Sequence, residues 1–207
     1  SSRSRGCERG AEGARGTRAA ARSRYRERVD RVRDIARRGL IFGLPTIDLH
    51  RILHDVALDP SSPAFRAPLN ALGHSRRLAD PTDRSIVAMN VDTPYSYAWL
   101  DLRSGPMVLT MPPCAAERYV SAQIVDLYTY IVGYLSPRTT GRDGASVAIA
   151  GPSWSGDAIG LEVLRAPTDL ALVLIRTQLF DDDDLSDVAR LQDAMSVHPL
   201  PARAGAA

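Results

Sequence analysis

The 207-residue chain is 44% hydrophobic and carries 26 basic against 24 acidic residues, for a formal net charge of +2. That length and apolar content suffice for one large folded domain. The longest wholly aliphatic run, LALVLI at residues 170–175, falls far below the ~18 residues that would suggest a membrane span.

The charge total conceals an asymmetry. Every basic residue is Arg; residues 1–38 hold 13 of them against 5 acids, and the remainder is net −6. A basic arm can meet nucleic acid or a lipid surface. This one has almost no aromatic ring to stack on bases and no apolar stretch of signal-peptide length, so neither partner is expected. The chain reads as an Arg-rich disordered leader over 1–27, a single domain over 28–200 and a short disordered tail over 201–207.

Structure is predicted to begin near Arg28. Val29, Val32, Ile35 and Ala36 recur at helical spacing and predict a helix with one buried stripe to about Leu40, punctuated by Gly39, Gly43 and Pro45. A second helix follows, opened by Pro45 or Thr46 and running to about Val56, with Ile47, Leu49, Ile52, Leu53 and Val56 on its apolar side. His50 and His54 share a side of that helix. The zinc signature would place Glu after the first His, where Arg51 stands, so no metal is expected.

After the Pro/Ser-rich stretch from Asp59 to Pro68, extended segments are predicted over residues 85–89, 95–102, 106–111, 118–131, 146–150, 161–165 and 170–178. Arg103-Ser104-Gly105 is short enough to make a hairpin of the second and third. LALVLI, apolar on both faces, is predicted to be central. Asp181 to Asp184 open a closing helix over about 185–196, where carboxylates meet the unsatisfied amides of a helix start. The expected fold is mainly β: a β-sandwich, immunoglobulin-like or related, with two N-terminal helices and one C-terminal helix.

Function is expected around NVDTPYSYAWLDLRSGP, residues 90–106. Asn90 and Asp92 favour a turn, and Pro94 is tolerated where a strand begins. Alternation then puts Thr93, Tyr95, Tyr97, Trp99 and Asp101 on one face, with Ser96, Ala98, Leu100 and Leu102 on the other. The first face joins aromatic rings, hydroxyls and a carboxylate, a combination suited to a small-molecule ligand. The bland alternative is a layer in which Tyr and Trp supply bulk. Asp126 and Arg176 share parity with inward apolar neighbours. Buried charges need partners, so an ion-pair network drawn from Asp92, Asp101, Asp126, Arg138 and Arg176 is predicted.

Were the site catalytic, Asp92 would be a general base, Tyr95 a donor or proton relay, His74 a second acid/base group and Arg138 an anchor for an anionic substrate. No Gly-x-Ser-x-Gly elbow, phosphate-cradling loop or dinucleotide fingerprint occurs. Cys7 and Cys114 form no disulfide or metal spacing. No cofactor is expected, and enzymatic status is open: a ligand-binding or scaffold domain comes first, a metal-independent acid/base enzyme second.

The pattern Asn90-x-Asp92-Thr93-x-Tyr95-Ser96, with Leu100-Asp101-Leu102 and Gly105-Pro106, resembles the family catalogued as domain of unknown function 1254. The likeness extends through Asn70, His74-Ser75-Arg76, Arg118-Tyr119, Asp126, Arg138-Thr139-Thr140-Gly141, Gly151-Pro152, Trp154, Arg176-Thr177, Asp184 and Leu191-Gln192. Pro94 and Ser136-Pro137 depart from the pattern, the latter beside Arg138. The resemblance implies a β-sandwich normally followed by a companion jelly-roll-like domain, catalogued as 1214. That companion is the expected missing partner; no activity comes with the name.

Overall fold

The computed structural model describes residues 4–80 and 90–201, with side chains from residue 22 onward. The chain divides into two units, residues 1–45 and 46–207. Helix α1 spans Ser4–Leu53, which corrects the predicted pair of N-terminal helices to one. Gly39 and Gly43 each cost about 1 kcal/mol against Ala, and Pro45, which loses its donor and crowds the carbonyl four residues back, about 3 kcal/mol. Those penalties weaken a helix without ending it. In the first unit Val32 and Ile35, expected in a buried stripe, are exposed.

In the second unit, the last turns of α1 pass into a π-helical turn, His54–Leu58. Nine strands follow among the described residues: β1 Gly73–His74, β2 Tyr95–Asp101, β3 Met107–Met111, β4 Val120–Asp126, β5 Ile131–Leu135, β6 Ala145–Ala150, β7 Glu162–Arg165, β8 Leu170–Thr177 and β9 Ser196–Pro199. Helix α2, Leu185–Asp193, precedes β9. Strands β1-β2-β8-β4-β5 form one antiparallel sheet. Strands β7-β6-β3-β9 form a second, antiparallel except for the parallel β6/β7 pair. With two sheets beside one long and one short α-helix, the fold is mixed α/β rather than mainly β.

Period-two patterning explains the core. Ala171, Val173 and Ile175 of β8 are fully buried, as are Leu100 of β2 and Ala122 and Ile124 of β4. They join Leu109, Val147 and Ile149 of the second sheet in one apolar cluster. LALVLI is central as predicted, because β8 lies between β2 and β4.

Other expectations change. The turn after Asp101 makes no hairpin: β2 pairs with β1 and β8, and β3 with β6 and β9, so the chain crosses between sheets there. The expected 118–131 strand is two strands. The Asp126 carboxylate accepts the amides of Tyr128 and Tyr130, each at 2.8 Å, and reverses the chain around Thr129 at φ +67°. Strand β9 replaces the expected end of the closing helix. The predicted strand over 85–89 lies outside the described residues. Before α2, the Asp181 carboxylate accepts the amides of Asp183 and Asp184, the capping role its position suggested.

Candidate functional site

Register places the outward side chains of the five-stranded sheet in rows. Tyr95, Arg176 and Ser121 are Cα partners across β2, β8 and β4; Tyr97, Leu174, Gln123 and Tyr134 form the next row; Trp99, Leu172, Val125 and Ile131 the third. The third row is covered. Leu53 and Ala57 pack on Trp99, with Leu49, Ile52, Val56, Leu69, Leu127, Leu170 and Leu172 around them. Trp99 is therefore core, 2% exposed, with its indole Nε1 buried without a hydrogen-bond partner, and it does not line the cavity that Tyr95 and Tyr97 border.

The first two rows hold the polar groups. The Tyr95 and Tyr97 rings stack with centroids 5.6 Å apart. The Arg176 guanidinium lies 5.4 Å from the Tyr95 centroid and donates to Gln123 Oε1 at 3.0 Å. Arg176 thus bridges β2 and β4 without a carboxylate partner among the described residues. The predicted Asp126–Arg176 network does not form. Asp126 instead satisfies Oδ1 locally with backbone amides at the far end of β4, while its buried Oδ2 has no hydrogen-bond partner.

Along the β1–β2 edge a cavity of about 370 Å³ is lined by Arg66, His74, Ser75, Arg76, Arg77, Thr93, Tyr95 and Tyr97. His74 Nδ1 and the buried Ser96 hydroxyl lie 2.7 Å apart, which fixes the ring. Burial, aided by the nearby Arg76 charge and opposed by Asp193, pushes the His74 pKa below the ordinary 6.5. The imidazole is neutral near pH 7. Arg66 donates to the carbonyls of Pro63 and Phe65. Its positive charge has no carboxylate partner among the described residues.

Two neighbours build the wall. Arg76 donates to Ala189 O and Gln192 Oε1, each at 3.0 Å, and pairs with Asp193, a cation placed at the C-terminal end of α2. Buried Gln192 returns bonds to Ser75 O and Tyr95 O. Gly73 is required on the inner side: a Cβ there would stand 2.7 Å from Arg66 O.

The remaining predicted residues divide by place. Asn90 Oδ1 accepts the Asp92 amide at 2.7 Å, and Asn90 Nδ2 donates to Thr93 Oγ1 at 2.8 Å. This turn presents Thr93 to the cavity but leaves Asp92 exposed and outside its lining. Asp101 is held by Arg103 through two bonds of 2.8 and 2.6 Å, which lower its pKa. It lines a different hollow, with Asn70 and Trp154. Asn70, at φ +63°, takes the Asp101 amide on Oδ1 at 2.8 Å and gives its own to Trp99 O, so its role is to extend the edge of β2. Arg138 lines a cavity of about 530 Å³ on the β4–β5 side, with Tyr119, Ser121 and Tyr134.

Sequence reasoning missed the buried ion pair. Arg118 donates to Asp184 Oδ2 at 2.7 Å and Oδ1 at 2.5 Å, and to Gln178 O at 2.6 Å, with both side chains about nine-tenths buried. The Phe180 ring stacks on the guanidinium at 4.8 Å. Hydrogen bonding between the partners lowers the Asp184 pKa and raises that of Arg118. The signal was the inward Arg118 at the head of a strand, but its partner is 66 residues away. Among the described residues no group of three or more His, Cys, Asp or Glu is placed to hold a metal ion, and no helix is long and apolar enough to cross a membrane.

The family described as "Protein of unknown function (DUF1254)" matches residues 69–199, which span both sheets and the cavity walls after Arg66. The chain belongs to the DUF1254 family. Among solved structures it is similar to the VPA0106 protein of Vibrio parahaemolyticus, with a TM-score of 0.66 and 23% identity over 81% of this chain. It spans 38% of the length of that protein, and the likeness concerns the fold. A putative uncharacterized protein from Burkholderia cenocepacia matches at TM-score 0.43 and 14% identity, over 82% of this chain and 43% of that one. No curated protein matches.

Proposed function

We propose that this DUF1254 domain binds a small polar anion in the β1–β2 cavity. The observation that carries the reading is the convergence, around about 370 Å³, of Arg66, the oriented His74 ring, Thr93 and the stacked Tyr95 and Tyr97. A concave site with a few convergent polar groups suits a ligand better than a flat partner surface. Guanidinium recognises carboxylate or phosphate by paired hydrogen bonds. Acid/base chemistry would fall to His74 and Tyr95, since Asp92 stands outside the lining, so binding is the reading favoured over catalysis.

The two sheets are read here as the layers of a β-sandwich, supported by the single apolar cluster to which both contribute. The companion domain implied by the resemblance belongs to the same proposal.

Thermal denaturation of the chain in acetate, benzoate and inorganic phosphate tests the ligand class. Saturation to ten times Kd stabilises by about 1.4 kcal/mol. The expected result is stabilisation by at least one anion, weakened about tenfold in Kd by Arg66→Gln. An unchanged transition in all three would remove the proposal.

A further inference from the structure

We infer that the ligand is elongated and negatively charged at both ends, spanning the β1–β2 and β4–β5 cavities over the central strand. The inference rests on the binding proposal above and adds the shape and charge of what is bound. Its basis is register. Tyr95 lines the first cavity and Ser121 the second, and both are Cα partners of Arg176. Neighbouring strands lie about 4.8 Å apart, so the two walls are separated by about 10 Å. Cα partners across a sheet project to the same side, so both hollows open on one face.

Arg176 stands between them. Its guanidinium leans on the Tyr95 ring and bonds Gln123, leaving a positive charge on the ridge. Beyond it, Arg138 lines the second cavity with no side-chain partner among the described residues. Arg142 there donates to the carbonyls of Ala115 and Arg118, which do not neutralise it. Arg66 holds the opposite end. By contrast Arg76, Arg77, Arg103 and Arg118 are all paired with aspartates. Arg66, Arg138 and Arg142, none with a carboxylate partner among the described residues, thus border these two cavities, with Arg176 on the strand between them; Arg165, likewise without a carboxylate, lies on the second sheet. Exposed Glu117 also lines the second cavity and opposes an anion there.

Carboxylate and phosphate ends share this recognition chemistry, and a connected ligand gains from effective concentration once its first end is bound. Calorimetric titration of the intact chain with acetate, then with linear α,ω-dicarboxylates and α,ω-bisphosphates whose charge separations run from about 5 to about 25 Å, brackets both the wall separation and the span of about 19 Å from β1, beside Arg66, to β5, before Arg138. The expected result is an optimum between those two distances, at least about tenfold tighter than the single anion. Arg138→Gln is expected to erase the gain while leaving acetate binding within about twofold, and Glu117→Gln to increase it several-fold. The better of the two series names the end group. Affinity independent of length, or a gain that survives Arg138→Gln, overturns the two-ended ligand and leaves the first-cavity reading standing. No binding by any of these anions overturns both.

Discussion

The two halves of one sheet face behave as different materials. Around Trp99 and Leu172 the face is apolar and capped by the end of α1 and the π-helical turn. Two rows away, at Tyr95, Arg176 and Ser121, the same strands carry rings, hydroxyls and a guanidinium between two cavities. Alternation makes both rows point outward; residue chemistry decides which half attracts a helix. Burying apolar area yields roughly 25 cal/mol per Å², whereas burying a charge without a partner costs several kcal/mol. A helix laid over Arg176 would forfeit more than it gained.

That contrast can be broken or sharpened by substitution. The largest stability effect is expected away from both halves, at the buried Arg118–Asp184 pair: Arg118→Gln strands a buried carboxylate and is expected to cost about 3 to 5 kcal/mol in urea denaturation. Because the Asp184 pKa is lowered in the folded state, its contribution is present above the unfolded carboxylate value and lost as pH falls through the lower folded one. The variant is expected to lose that acid sensitivity.

In the covered half, Leu53→Ala empties a site 1% exposed and is expected to cost about 3 kcal/mol while leaving anion binding unchanged. An equal loss of binding would show that the halves are not separable. Gly73→Ala tests the cavity wall itself: its Cβ would press on the Arg66 carbonyl, an overpacking cost of about 1 to 3 kcal/mol, with binding reduced as well.

In the bare half, Arg176→Gln removes a partly exposed guanidinium and is expected to cost under about 1 kcal/mol in thermal unfolding. The smallest effect concerns His74. Its pKa is lowered in the folded state, so the unfolded chain takes up the proton first, and stability is expected to fall as pH drops below the ordinary imidazole value. A melting series from pH 7.5 to about pH 5 in His74→Gln should be flatter than wild type; identical slopes would mean that another group titrates.

Alternation from Thr93 onward was legible in the chain, and the outward rows confirm that Tyr95, Tyr97, Trp99 and Asp101 share a side. An unbroken run, apolar on both faces, also placed LALVLI at the sheet's centre. What sequence could not give was partnership across distance. Nothing local says that Leu53 covers Trp99, that Arg103 occupies Asp101, or that Arg118 finds Asp184. Helix α1 was divided in error because Gly39, Gly43 and Pro45 look decisive one by one, while each exacts only a bounded penalty. Strands β1 and β9, of two and four residues, are too short for any periodic signal.

Arg176 occupies the seventh position of an eight-residue strand whose neighbours, Ile175 and Thr177, are both at 0% exposure. Deleting one residue upstream within β8 while keeping its pairings would turn the strand inside out, driving the guanidinium into the interior and setting Ile175 or Thr177 on the surface. The chain is thereby denied a gradual way to discard this charge: length changes in β8 unmake the domain, and only substitution can retire the arginine.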